Sequence, residues 1–181
     1  MNILKKNWLT FALGFVAVFL FRMIPFRPPN IEPLLALQMP FSKAYGASVG
    51  FLFGFFSIVV FDLATGHLGI STLVTGAAYG VLGLWATRFF RKGDPGPMDY
   101  ARFAVIGTLF FDAVTGLSIG PLIFHQSFMN ALIGQIPFTI WHLIGNVSFA
   151  LILSPAIYRL AIKKESTEKI SLINSFRPKV I

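Results

Sequence analysis

Cysteine is absent from this 181-residue chain, and acids are scarce: Asp and Glu number 7 against 15 Lys and Arg. Without a thiol there is no disulfide, no thiolate metal site and no cysteine nucleophile. Charged residues make up only 12% of the chain, about half the share in a typical soluble domain. Catalytic signatures are lacking too. There is no GxSxG elbow, no HExxH and no Walker A sequence, so the chain does not read as an enzyme, and any active uptake draws on a partner or an ion gradient. No cofactor is implied. What is abundant is apolar: 55% hydrophobic residues, with 21 Phe. That much apolar surface does not fit inside one water-soluble core, so the bilayer is the expected solvent.

The hydrophobic runs predict an all-α integral membrane bundle of about six transmembrane helices, as one domain over residues 1–162 with a polar tail at 163–181. Helix 1 is expected over about residues 8–24 and is broken by Pro25, Pro28 and Pro29. No small-x-small cleavage site follows that run, so it reads as a retained helix, not a signal peptide. Asn30 is a candidate N-cap for a short second helix over about 31–41, with Glu32 in its first turn. At 1.5 Å per residue that helix falls short of a roughly 30 Å hydrocarbon core. Further helices are expected over about 44–63, 70–90 and 100–114. A half-helix near 127–134 and a last helix from 137 to 158 complete the chain. Residues 91–99, with Gly93, Pro95, Gly96 and Pro97, read as a loop.

Charge placement orients the bundle. With both termini in the cytoplasm, 13 of the 15 basic residues fall on the cytoplasmic side, and only Arg22 and Arg27 lie outside. The basic residues thus follow membrane topology, so the net charge of +8 does not point to nucleic acid. Trp8, Tyr45, Trp85, Tyr100 and Tyr158 lie near the same boundary, as an aromatic belt does. A multi-pass protein of the plasma membrane, in contact with lipid, is expected.

Phe61-Asp62-Leu63-Ala64-Thr65-Gly66 recurs as Phe111-Asp112-Ala113-Val114-Thr115-Gly116. Each copy is expected to close an odd-numbered helix at the outer face, which makes the repeat parallel rather than inverted. An acid there is either a cap for backbone N–H groups or part of a site. Gln135, Thr139, His142 and Asn146 share one stripe of the last helix. With the helix entering near Pro137, His142 lies about 8 Å and Asn146 about 14 Å deep. Polar groups so deep face protein or a water-filled cavity, as interhelical glue or as the wall of a pocket. Asp62, Asp112, Gln135, Thr139, His142, Asn146, Glu32 and Asn30 are therefore the candidate substrate-binding residues. His67 and His125 follow the two repeat acids, but their spacing is too loose for a metal site. Gly46, Gly50 and Gly54, and Gly76 and Gly80, form small-residue rows of the kind that packs helices closely.

The layout resembles the S components of energy-coupling factor transporters, small six-helix subunits that capture vitamins. The resemblance rests on Arg22-Met23-Ile24-Pro25, the short second helix and the Lys43-Ala44-Tyr45-Gly46-Ala47-Ser48-Val49-Gly50 turn. Asp62 and the Gly-rich stretch Thr75-Gly76-Ala77-Ala78-Tyr79-Gly80-Val81-Leu82-Gly83 extend it. It implies a small-molecule substrate in the outer half of the bundle, and a cytoplasmic surface that docks a T component driven by two ATPase subunits. Two features depart from the family: the FD-x-x-TG duplication, and the lack of a clean AxxxA row on helix 1. Asn2 stands where cobalt and nickel versions carry His. A second resemblance joins Asp62 to Gly69 with the D-x-x-x-G-x-x-G segment of MreD-type rod-shape proteins, which act as scaffolds in wall synthesis and need no pocket.

Overall fold

The computed structural model describes residues 3–28 and 30–159, with side chains from Leu9 onward. The expected polar tail at 163–181 lies outside the described residues. Six helices follow one another: α1 (Ile3–Arg22), α2 (Leu34–Tyr45), α3 (Ala47–Thr65), α4 (Ile70–Phe89), α5 (Pro97–Ile123) and α6 (Phe128–Ala156). No strand occurs among the described residues. Ala47–Thr65, Ile70–Phe89, Pro97–Ile123 and Phe128–Arg159 are long and apolar enough to cross a membrane. The apolar part of α1, Leu9–Arg22, is shorter.

The bundle is built around its shortest helix. Every residue of α2 from Leu34 to Ser42 is buried, and α3, α4, α5 and α6 all pack against it, with α1 laid across α2 and α3. At 12 residues, α2 is about 18 Å long, too short to span. It serves as the core instead. The outer surface carries Leu9, Leu13, Val16 and Leu20 on α1, and Ile133, Ile136, Ile140 and Ile144 on α6, all exposed. Such greasy faces belong against lipid.

The glycines set how closely α3 and α4 approach. A Cβ on Gly50 would lie 2.9 Å from the Gly83 carbonyl oxygen, and one on Gly54 the same distance from that of Tyr79. The gap admits Gln38 from α2, whose Nε2 donates to the carbonyls of Gly50 (2.9 Å) and Tyr79 (2.7 Å). One buried amide thus ties three helices; a Cβ on Gly54 would overlap that amide, and one on Gly50 would overlap the Ser42 side chain. Gly76 and Gly80 seat the rings of Phe55 and Phe51. Gly46 differs from the expected packing role. It lies between α2 and α3 at φ +90°, with nothing within 4 Å of a would-be Cβ. Its task is the left-handed corner that only glycine makes cheaply.

Three boundaries also differ from expectation. Asn30 does not cap α2. It adopts φ 64°, a left-handed turn that Asn tolerates, and Pro33 holds the cap position with no side-chain bond. α5 does not stop near residue 114 but runs to Ile123, through Gly116 and Pro121. The expected half-helix merges into α6, which starts at the Ser127 cap and continues through Pro137. In hydrocarbon, unpaired backbone groups are expensive, so spanning helices carry on through Gly and Pro that would end them in water.

Candidate functional site

A cavity of about 400 Å³ opens where α1 ends, α5 and α6 meet and the α1–α2 connection crosses. The opposite end carries Lys43, Arg88, Arg91, Lys92 and Arg102. α5 gives the cavity Phe111, Thr115 and Gly116, α6 gives Gln135, Phe138 and His142, and α4 gives Thr75 and Tyr79. Arg22, Arg27, Asn30 and Glu32 close it from the α1–α2 side.

Three polar rungs join α5 to α6. At the deepest, Asn146 Nδ2 donates to Thr108 Oγ1 at 2.8 Å. In the middle, His142 Nδ1 lies 2.7 Å from Asp112 Oδ1, with both residues buried. That contact occupies Nδ1 of a residue that lines the cavity. At the top, the Gln135 amide packs directly on Gly116, where a Cβ would overlap it. Gln135 Nε2 also donates to Thr139 Oγ1 at 3.2 Å. One oxygen of Asp112 and the Asn146 carbonyl are buried without a hydrogen-bond partner, so the rungs retain acceptor capacity.

The other wall is ionic. Glu32 accepts from the Tyr79 hydroxyl at 2.9 Å and pairs with Arg22 at 3.4 Å. Both of its oxygens are thereby engaged. The Arg22 guanidinium lies over the Phe61 ring, 4.4 Å from its centroid, as cation–π contacts do. Arg27 Nη1 donates to the Ile31 carbonyl at 3.3 Å, its one hydrogen bond among the described residues. The Tyr79 and Phe111 rings pack at a tilt of 44°, 4.4 Å between centroids. Phe111 and Phe138 both pack nearly perpendicular to the His142 ring.

Of the eight residues expected to bind substrate, Asn30, Glu32, Gln135 and His142 line the cavity. Asp112 stands behind His142, Thr139 supports Gln135, and Asn146 lies below. Asp62 departs from the expectation. It does not line the cavity, but accepts from Thr72 Oγ1 at 2.7 Å. Thr72 Oγ1 in turn accepts from the Gly69 N–H at the start of α4. Its carboxylate is spent on the α3–α4 corner. His67 bonds Thr65 at the same exposed corner, and among the described residues no three His, Asp or Glu side chains converge to hold a metal.

Sequence reasoning missed Arg22, Arg27, Tyr79, Thr108 and Thr115. Signals for them were present. Arg22 and Arg27 were the two cations out of place in the charge pattern. Thr108 and Thr115 share the helical face of Asp112, by i, i+4 and i+7 spacing.

Comparison of the chain with family models, with curated proteins and with solved structures returns no match.

Proposed function

We propose that this chain is the substrate-capture (S) component of an energy-coupling factor type importer, taking a small vitamin-like molecule from the outer side of the plasma membrane. The cavity is the observation that carries this reading. Its volume of about 400 Å³ falls in the range of metabolite sites, which join apolar walls to a few convergent polar groups. It opens at the end away from the cationic cluster. With that cluster in the cytoplasm, the cavity faces outward, where a capture subunit meets its cargo. A rod-shape scaffold has no use for such a hollow, and the Asp62–Gly69 segment behind that resemblance already has its work at the α3–α4 corner.

Native mass spectrometry of the purified full chain tests the reading. A metabolite-sized molecule should remain bound in detergent and be lost from Thr115→Phe, which places a ring in the cavity. Co-expression with a T component and its two ATPases should give a stable complex and ATP-dependent uptake. An empty protein that forms no such complex would sink the importer role.

A further inference from the structure

The cavity is rich in donors and carries a positive charge that the chain leaves uncancelled. Each acid among the described residues is engaged elsewhere or already paired. Asp62 serves the α3–α4 corner, Asp94 accepts from Tyr158 and Asp99 caps α5. Asp112 holds His142, and Glu32 holds Arg22 and Tyr79. Among the described residues no carboxylate lies within ion-pair distance of Arg27. Its only hydrogen bond there is to a backbone carbonyl, and it lines the cavity. Arg22 is under-served as well. Its Nε and Nη1 are buried without a hydrogen-bond partner, and its 3.4 Å pairing with Glu32 is longer than a charge-assisted hydrogen bond. Guanidinium groups short of acceptors in a half-enclosed site call for a ligand that brings more.

We propose that the cavity takes a ring-bearing organic monoanion, a carboxylate, with Arg27 reading the charge and the Tyr79, Phe111 and Phe138 rings holding the flat body. The inference rests on the capture reading above and names its substrate class. One uncancelled cation calls for one negative charge. A cationic substrate would face Arg27 with no acid in reach: both oxygens of Glu32 are taken, and Asp112 stands behind His142 and does not line the cavity.

Indole acetate, indole acetamide and tryptamine share a ring and nearly a size, and differ in charge. Isothermal titration of the full chain in nanodiscs at neutral pH compares them, with native mass spectrometry for any co-purified molecule. Indole acetate should bind at least about tenfold tighter than the amide, the usual worth of a hydrogen bond to a charged group. Arg27→Gln should erase that preference and Arg27→Lys restore most of it. The wild-type ranking alone decides the matter if Arg27→Gln fails to fold. Equal or tighter binding of the amide or the amine, or a preference that survives Arg27→Gln, overturns the anion assignment and leaves capture standing. Should none of the three bind, the charge of a co-purified molecule decides: an anion supports the assignment, and a neutral or cationic molecule overturns it. No binding and no co-purified molecule rejects both readings.

Discussion

The two FD-x-x-TG copies begin alike and end differently. In both, the threonine hydroxyl donates to the carbonyl four residues back: Thr65 to Phe61 at 2.9 Å, and Thr115 to Phe111 at 2.8 Å. Beyond that they part. Gly66 turns left-handed at φ +75° and stops α3, whereas Gly116 stays helical and α5 runs on to Ile123. Asp62 is half-buried and serves a corner, while Asp112 is 2% exposed and holds a histidine of the next helix. The motif does not choose between these fates. Its neighbours do. After Gly66 come His67, Leu68 and Gly69, a loop with a new helix start. After Gly116, Leu117-Ser118-Ile119 continues the helix, and α6 supplies Gln135 and His142 as partners.

The largest expected effect separates the two acids. Asp112→Ala strands a buried His142 and removes the middle rung, at a cost of about 3 kcal/mol. Asp62→Ala gives up one hydrogen bond at a half-exposed corner, for about 1 kcal/mol. Unfolding of the detergent-solubilised variants measures both. Combining Asp112→Ala with His142→Ala should cost less than the two single changes added together. Equal losses at Asp62 and Asp112 would erase the distinction drawn between a corner acid and a site acid.

The two glycines sharpen the contrast at smaller scale. Gly66→Ala forces a Cβ into a left-handed turn, which costs about 1 kcal/mol. Gly116→Ala meets only the mobile end of the Gln135 side chain, and it gains helix propensity of about 1 kcal/mol. The expected outcome is a lower melting temperature for the first and an almost unchanged one for the second. Ligand retention should move the other way, because only the second displaces a group that lines the cavity.

That divergence also marks how far the sequence could be read. Hydrophobic run length and the basic clusters located six helices, since both follow from the cost of polar groups in hydrocarbon. The stripe from Gln135 to Asn146 was legible because helical spacing puts those residues on one face whatever they touch. The role of Asp62 was not legible. Nothing local distinguishes it from Asp112, and its partner Thr72 lies across a helix corner. The ends of α5 and α6 were misjudged because Gly and Pro break helices in water, and the bilayer changes that balance. Arg27 went unread for a different reason: the positive-inside pattern treats a lone cation at the far end as an exception, yet it stands where the walls of the cavity meet.

The threonines give the smallest and most selective test. Val is nearly isosteric with Thr, and in each copy the carbonyl that loses the hydroxyl keeps its own helix bond. Thr65→Val and Thr115→Val should each shift stability by only about 0.5 kcal/mol. Thr115 lines the cavity, whereas Thr65 faces His67 at an exposed corner. Ligand affinity should therefore respond to Thr115→Val and ignore Thr65→Val, with both proteins equally folded. A matched loss of affinity at Thr65 would bring the first copy into the site and give the repeat one function in place of two.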